Sequence, residues 1–213
     1  MKRANDESQK RLRRRGILDS ALALFEEAGG HLSTVAAIAK RSNIAKGTVY
    51  LYFKTREEIY LSLLEEFMDG WFDVIGTADS TGAGVDDVVN LSCSYIETRP
   101  VFMNLASIFN GILEKNINYE TAYSFKANLR DRVFETGSVI AGQFPEISHE
   151  MAVKLILRSF ALSIGLWQIA EPAPVLRQLL KIEELKLLKI DFMSELKEGL
   201  SAMWHEAVRN DLV

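Results

Sequence analysis

The sequence predicts an all-α protein, with a small N-terminal group of three helices followed by a larger helical bundle. Apolar residues recur at spacings of three and four along nearly the whole chain, and no segment shows the sustained two-residue alternation of a half-buried strand. Apolar residues make up 48% of the 213 residues and charged residues 25%, values typical of a folded globular protein. A chain of this length can bury a substantial core without disulfides.

Start and stop signals divide the first third of the chain into four helices. A Gly-Gly pair ends the first helix, Thr34 is a good N-cap for the second, and Asn43 tolerates the left-handed backbone of a tight turn. Thr55 and Glu58 form a capping box for the fourth. The predicted helices cover residues 9–28, 35–41, 45–52 and 56–75. The first of them carries one apolar stripe, formed by Ile17, Leu18, Ala21, Leu22, Phe25 and Ala28.

The remaining chain contains one linker-like stretch and a series of long helices. Residues 76–84 are small and polar and are expected to form a mobile loop. Phe67, Trp71 and Phe72 are too bulky and apolar to be left in water, so the fourth helix should extend into the second core. Proline and asparagine breaks predict helices over residues 85–98, 101–115, 119–143, 149–170 and 175–208, the last being either one helix or two.

Charge is distributed unevenly along the chain. The formal net charge is −4, but residues 1–56 carry twelve Lys and Arg against five Asp and Glu, a balance of +7, whereas residues 57–213 have a balance of −11. Such a split is expected when one end of a protein meets a polyphosphate and the rest does not. Taken alone, the basic residues 2–15 fit a solvated tail equally well.

Cysteine content and hydropathy favour the cytoplasm. Cys93 is the only cysteine, so no internal disulfide is possible, and its expected role is that of a small buried filler. Polar residues interrupt the apolar stretches within a few positions, so we expect no segment to span a bilayer. No cofactor or metal is expected.

Residues 34–59 carry the most specific motif, TVAAIAKRSNIAKGTVYLYFKTREEI. A capped helix, a tight turn and a short helix lead into a Tyr-x-x-Phe-Lys run, and this pattern resembles the TetR family of transcriptional regulators. The resemblance covers residues 10–60; it departs from the family pattern at Ser42-Asn43, where Ala-Gly is common, and at Arg56, where Lys is common. The resemblance implies a helix-turn-helix DNA-binding domain with a basic N-terminal arm over residues 1–54 and a ligand-binding and dimerisation domain over residues 55–213.

The N-terminal end of the third helix supplies the candidates for reading bases. A helix in the major groove needs short side chains that let the backbone approach the base edges. Gly47 permits that approach, Lys46 can donate to a guanine, and Thr48 can meet a base edge or a thymine methyl. Ala45 completes this small-residue opening.

Residues beside the third helix are the candidates for holding phosphates. The family resemblance implies phosphate contacts for Tyr50, Tyr52 and Lys54, and Thr34 could add one from the start of the second helix. Arg56 could bind a phosphate bidentately or pair with a Glu on the next turn, and the sequence favours neither. Lys10–Arg15 would add salt-dependent affinity as an arm, and the first eight residues are expected to be disordered without DNA.

Aromatic and apolar residues in the C-terminal part are candidates for a ligand pocket within a helical bundle. Each one taken singly is more often core than ligand contact. Polar residues on apolar faces, such as Asn104, Ser107 and Asn128, could orient a ligand, cap the backbone or face solvent. The predicted ligand is a small apolar or aromatic molecule, and the candidates are Phe67, Trp71, Tyr95, Phe102, Met103, Phe109, Asn110, Tyr123, Phe160 and Trp167.

The resemblance further implies a homodimer formed by helix 149–170 and the last helix. A two-fold dimer would place two recognition helices in successive major grooves and would read a palindromic operator. The resulting hypothesis is a ligand-responsive repressor that a small molecule releases from DNA.

Two other classes of function compete with this hypothesis. An enzyme is disfavoured because His31, His149 and His205 are far apart in sequence, no glycine-rich phosphate loop occurs, and Cys93 has no nearby base. A helical protein–protein adaptor that does not bind DNA is disfavoured by the basic N-terminal part.

Overall fold

The computed structural model describes residues 2–210, without the side chains of residues 2–6, Asn110 and Asn210. Within these residues the chain forms helices and their connections, which confirms the all-α prediction. The α-helices are α1 (Lys2–Glu27), α2 (Val35–Arg41), α3 (Lys46–Val49), α4 (Arg56–Ile75), α5 (Val85–Glu97), α6 (Pro100–Ile108), α7 (Tyr119–Gln143), α8 (His149–Ala170), α9 (Pro174–Leu179) and α10 (Phe192–Asn210).

The chain folds into two compact units that are not simply consecutive. Unit 1 contains the chain up to Phe67 together with Asn104–Lys126, and unit 2 contains Met68–Met103 together with the chain from Ala127 onward. Helix α4 therefore contributes its first part to unit 1 and its last part to unit 2. The functional division predicted at residue 54 concerns DNA and ligand binding, and it stays a prediction.

The core of unit 1 follows the predicted apolar stripe of α1. Ile17, Leu18 and Phe25 are buried, and the Phe25 ring lies 5.5 Å from that of Tyr60 on α4. The Tyr60 hydroxyl accepts a hydrogen bond from the Ser33 amide at 3.0 Å, which ties α4 to the start of α2. Residues 2–8 were predicted to be disordered but belong to α1, while Met1, part of the same prediction, lies outside the described residues.

The helix-turn-helix forms where the sequence predicts it, but α3 is shorter than expected. The Thr34 hydroxyl accepts a hydrogen bond from the Ala37 amide, and Asn43 adopts a positive φ of 54°. Residues 50–52 were predicted to be helical but form turns, because the amides of Leu51 and Tyr52 bond to carbonyls only three residues earlier.

Two predicted helices are broken in the structure. The helix predicted over 101–115 ends at Ile108 and continues as a π-helical turn (Phe109–Leu113) and a 3₁₀ turn (Glu114–Asn116). The helix predicted over 175–208 is divided into α9, a 3₁₀ segment (Glu183–Leu188) and α10, which settles the choice between one helix and two.

In unit 2, α10 packs against α5 and α8. Leu196, Leu200 and Trp204 form its buried stripe, and the Trp204 indole donates to the buried Ser159 hydroxyl of α8 at 3.0 Å. The close approach of α7 and α8 depends on Gly137, because a Cβ there would lie 2.9 Å from a methyl group of Val153.

Helix α8 corrects one expectation from the sequence. By length and composition it is apolar enough to cross a membrane, as the core helix of a soluble protein can also be. Polar residues interrupt this stretch, which led to the expectation that it could not span a bilayer, but its mean hydropathy over most of the helix is high. Much of this helix is uncovered in the single chain, with Leu157 49% and Ile169 57% exposed.

Candidate nucleic-acid interface

The start of α3 presents small and basic residues to solvent. Ala45, Lys46 and Gly47 are exposed, Thr48 is half-buried, and Val49 is fully buried and anchors the helix. A Cβ at residue 47 would meet no protein atom within 4 Å. The fold itself therefore does not require glycine at this position, which fits a role in admitting another molecule close to the backbone.

The aromatic and basic residues after α3 form the rim of this surface. Tyr50 is 46% exposed, and the ammonium of Lys46 lies 6.0 Å from the centroid of its ring. Tyr52 is half-buried, and the exposed Lys54 ammonium lies 3.8 Å from a carboxylate oxygen of Glu120. Exposed ion pairs of this kind are weak, so a phosphate can compete for Lys54.

Leu51 is a candidate that the sequence reasoning missed. Its side chain is 82% exposed, between the buried Val49 and the buried Phe53. An exposed leucine beside Thr48 and Tyr50 could contact a thymine methyl in the major groove. The sequence did offer a signal, because Leu51 lies between Val49 and Phe53, which were both expected to face the core.

Glu58 holds the end of the recognition segment in place. One oxygen of this buried carboxylate accepts a hydrogen bond from the Lys54 backbone amide at 2.6 Å. The other oxygen accepts hydrogen bonds from the Thr121 hydroxyl at 3.1 Å and from the Asn118 side-chain amide at 3.4 Å. The Thr55 hydroxyl accepts the amide hydrogen of Glu58 at 3.1 Å. Sequence reasoning found the cap but not the contacts with residues 118 and 121, which lie some sixty positions away.

Two predicted phosphate contacts have structural roles in the free chain. Arg56 binds the carboxylate of Glu57 through two nitrogens, at 2.8 and 3.2 Å, so it forms an ion pair, although with the adjacent residue rather than with a Glu on the next turn. The Thr34 hydroxyl caps α2 while remaining exposed, and this leaves its second lone pair available.

The basic residues of the stretch 10–15 belong to helix α1, as the helix predicted over residues 9–28 requires. Arg14 donates to the Ser62 hydroxyl at 3.0 Å, and Arg15 binds Glu66 at 2.6 Å, so both guanidinium groups are fixed to α4. Arg11 and Arg13 are exposed. The structure therefore fixes two of these cations against α4 and leaves Arg11 and Arg13 facing solvent.

Four of the predicted ligand residues form a connected aromatic cluster in unit 2. Trp71, Tyr95, Phe102 and Phe160 are linked by ring-centroid distances of 5.9–6.0 Å. We call these four residues the aromatic cluster. The Trp71 indole donates to the buried Ser92 hydroxyl at 2.8 Å. Tyr95, whose pKa is raised by burial, approaches α4 so closely that a Cβ at residue 70 would lie 2.5 Å from its hydroxyl.

The other predicted ligand residues lie elsewhere. Met103 is fully buried in unit 2, and Trp167 packs edge-on against Phe192 at 5.0 Å. Phe67, Phe109 and Tyr123 belong to unit 1, and the side chain of Asn110 lies outside the described residues.

The three candidates in unit 1 have separate surroundings. Phe67 is half-buried, and Phe109 packs on Phe125 at 5.0 Å under the ammonium of Lys126. Tyr123 is 63% exposed and stacks on Tyr119. The roles of all ten residues stay predictions.

Residues 2–210 contain no group of three or more His, Cys, Asp or Glu side chains that could hold a metal ion. Burial raises the pKa of the Cys93 thiol to about 11, so it is protonated and unreactive at neutral pH.

Comparison with solved structures supports the same fold. The fatty acid degradation regulator FadR from Bacillus halodurans aligns over 89% of this chain and 97% of its own, with a TM-score of 0.56 and 21% identity. FadR from Bacillus subtilis, solved in complex with stearoyl-CoA, aligns over 89% and 96%, also with a TM-score of 0.56 and 21% identity.

Sequence relatives match mainly in the N-terminal part. The fatty acid metabolism regulator protein of Bacillus subtilis is 47% identical over 60 residues, which are 28% of this chain and 31% of that protein. The transcriptional repressor KstR2 of Rhodococcus jostii is 31% identical over 98 residues, which are 44% of this chain and 48% of that protein. The aligned stretches thus span less than half of either relative.

Two family models together span nearly the whole chain. The model of bacterial regulatory proteins of the tetR family matches residues 17–63, and the tetracyclin repressor-like C-terminal domain matches residues 62–205. The second match alone covers more than half of the chain, and the first includes α3 and the residues around it, from Ala45 to Lys54. This chain belongs to the TetR family of bacterial transcriptional regulators.

Proposed function

We propose that this protein is a cytoplasmic, ligand-responsive repressor that binds a palindromic operator as a homodimer and is released by a small molecule with a large apolar part. The observation that carries the proposal is the surface at the start of α3. Lys46 and Gly47 are exposed there with no packing role for the glycine, and Tyr50 and Lys54 stand at its rim. This combination suits base reading flanked by phosphate contacts.

Rigidity of the recognition segment supports the proposal. A reading surface must hold its side chains in register with the base edges, and the buried Glu58 fixes the Lys54 backbone by a hydrogen bond of 2.6 Å. Arg14 and Arg15 on α1 are held to α4 in the same unit. The charge balance of +7 over residues 1–56 supplies the electrostatic attraction.

Dimerisation is proposed to cover the exposed face of α8. Leu157, Ala161, Gly165 and Ile169 recur every four residues on this helix, and all four are exposed in the single chain. A Cβ at residue 165 would meet nothing within 4 Å, so a second helix could approach closely there. In a two-fold dimer, the two copies of α3 would lie roughly 34–36 Å apart, one turn of DNA.

The aromatic cluster is proposed to receive the apolar part of the ligand. Trp71 and Phe102 are at most 1% exposed, so a ligand can enter only if rings move. The ligand would then bind one conformation of unit 2 more tightly than another, and release from DNA requires such a difference in affinity. The complex of Bacillus subtilis FadR with stearoyl-CoA suggests an acyl-CoA as the ligand class to try first.

Selection from a randomised duplex library, followed by fluorescence anisotropy on the recovered sequence, tests DNA recognition. We expect an inverted repeat whose binding weakens steeply as salt rises. A Tyr50→Ala/Lys54→Ala variant should lose about tenfold or more in affinity, since it removes two phosphate contacts. The matched control Tyr119→Ala/Lys115→Ala removes the same two residue types at exposed positions outside the surface and should bind like the wild type.

Three outcomes would contradict the proposal. Recovery of no enriched motif would favour the protein–protein adaptor. Equal weakening by the two variants would mean that binding follows overall charge rather than this surface. Recovery of a single, unrepeated half-site would contradict the two-fold dimer.

A further inference from the structure

A basic pocket lies at the C-terminal end of α8 in unit 2. It has a volume of about 590 Å³, and its walls come from the end of α8, from α9 and from the 3₁₀ segment that follows. A volume of this size lies within the range of small-molecule sites. The lining residues, which define the basic pocket, are Ala170, Glu171, Pro172, Arg177, Leu180, Lys181, Lys186 and Lys189.

Positive charge is concentrated in this pocket against the trend of the surrounding sequence. Four of its eight lining residues are Lys or Arg and one is acidic, whereas residues 57–213 as a whole carry a balance of −11. Clefts lined by an excess of one sign of charge raise the local concentration of counter-ions, so this pocket would attract an anion.

Two of the four cations are engaged in ion pairs with neighbouring residues, and the other two are not. Arg177 is fixed by Glu171 at 2.6 Å and by the Pro172 carbonyl at 3.1 Å, and Lys186 pairs with Glu183. Lys181 and Lys189 form no ion pair with the part of the chain that the structure describes, and both are exposed. An incoming anion would therefore meet two uncompensated ammonium groups beside a preoriented guanidinium.

We propose that the basic pocket binds the diphosphate of a nucleotide-type headgroup. A diphosphate carries several oxygens and at least two negative charges, so it can engage Arg177 in a planar fork and Lys181 and Lys189 as point charges. The apolar atoms of Ala170, Pro172 and Leu180 give a surface for the nucleoside, which a bare inorganic ion would not use.

This inference deepens the proposed function, on which its biological meaning rests. Phe160 of the aromatic cluster and Ala170 of the basic pocket are ten residues apart on α8, a rise of about 15 Å. A single molecule with an anionic head and an apolar tail could occupy both places within unit 2. Free nucleotide diphosphates share the head chemistry, so the experiment must separate the two sources.

Isothermal titration calorimetry of the full-length protein tests the proposal with stearoyl-CoA, coenzyme A, ADP and inorganic pyrophosphate as separate probes. Tighter binding of stearoyl-CoA than of ADP would identify one molecule that occupies both places, whereas equal affinities would identify the free nucleotide as the source. We expect coenzyme A and ADP to bind, and a Lys181→Gln/Lys189→Gln variant to bind them about tenfold or more weakly, because two charged contacts are lost. The control Lys154→Gln/Lys197→Gln removes the same charge at exposed positions of unit 2 and should leave affinity unchanged. Far-UV circular dichroism checks that both variants fold.

Each other outcome would overturn the proposal in whole or in part. Absence of binding by coenzyme A and ADP, equal weakening in both variants, or unaltered binding in the Lys181→Gln/Lys189→Gln variant would each reject this pocket as the site. Pyrophosphate binding as tightly as ADP would reject the nucleoside contact. Because neither lysine lies in unit 1, operator binding without ligand should be the same in all three proteins, so failure here is distinguishable from failure of DNA recognition.

Discussion

Replacing Glu58 by Ala should destabilise unit 1 and loosen the recognition surface together. The carboxylate is only 8% exposed and accepts hydrogen bonds from the Lys54 amide at 2.6 Å and the Thr121 hydroxyl at 3.1 Å. Removing it leaves both donors without their acceptor in a half-buried setting. The Lys54 amide immediately follows the residues proposed to meet DNA.

The expected cost of this substitution is about 2–4 kcal/mol. A hydrogen bond to a charged group contributes about 1.5–3 kcal/mol, and water can partly replace the acceptor at half-buried donors. A favourable interaction of the carboxylate with the first turn of α4, typically about 0.3–1 kcal/mol, is lost as well. Glu58→Gln retains one acceptor oxygen and the side-chain volume, so it should cost roughly half as much.

Urea denaturation followed by far-UV circular dichroism measures the change in free energy of unfolding, and amide hydrogen exchange at Lys54 measures the local effect. The matched control is Glu120→Ala, which removes a carboxylate that is 86% exposed and pairs with the Lys54 ammonium at 3.8 Å. We expect it to cost less than about 0.5 kcal/mol. An unfolding free energy for Glu58→Ala within that margin of the wild type would refute the reasoning, as would equal costs for the two variants.

Three further predictions follow from the packing. Gly137→Ala should lower the free energy of unfolding by about 1–3 kcal/mol, because the new methyl group would clash between α7 and α8. Gly16→Ala should raise the free energy of unfolding by about 0.5–1 kcal/mol, because a Cβ there meets nothing within 4 Å. Denaturant titrations that give the same sign of change for both variants would contradict this reasoning. Ser92→Ala should cost about 1–3 kcal/mol because the buried Trp71 indole loses its acceptor, and a change near zero would show that another acceptor replaces it. The rate of alkylation of Cys93 in the folded protein should be low at pH 8 and should rise only towards pH 11, and rapid labelling at pH 8 would contradict the burial. Because the pKa of about 11 is higher than that of an unfolded thiol, the contribution of Cys93 to the free energy of unfolding should fall between about pH 9 and 11.

Local signals predicted the N-terminal part of the fold well. The cap at Thr34, the left-handed turn residue Asn43 and the apolar stripe containing Ile17 and Phe25 each act within a few residues, and all are found in the structure. The same locality explains the confirmed boundaries of α2 and α4. Their signals lie within a few residues of one another in the sequence, so they can be recognised without knowing which distant residues they pack against.

Features that depend on tertiary structure escaped the sequence reasoning. The π-helical turn at Phe109–Leu113 has the composition of an ordinary helix, and its widened hydrogen bonding has no sequence signature. The supports of Glu58 lie sixty residues away. The cations of the basic pocket are separated by a break between α9 and the 3₁₀ segment, so no single helical periodicity brings them together.

The placement of the tryptophans gives this regulator a built-in optical probe. Trp71, Trp167 and Trp204 are the only tryptophans in the chain, and all three belong to unit 2. Selective excitation of tryptophan therefore reports on that unit without any label. An acyl ligand that disturbs the Trp71–Ser92 hydrogen bond would shift the emission directly. Operator DNA, by contrast, would contact unit 1, so a shift in emission on adding the operator alone would show that DNA binding alters unit 2. The coupling itself would be measured as the factor by which the operator changes ligand affinity, and linkage requires the ligand to change operator affinity by the same factor.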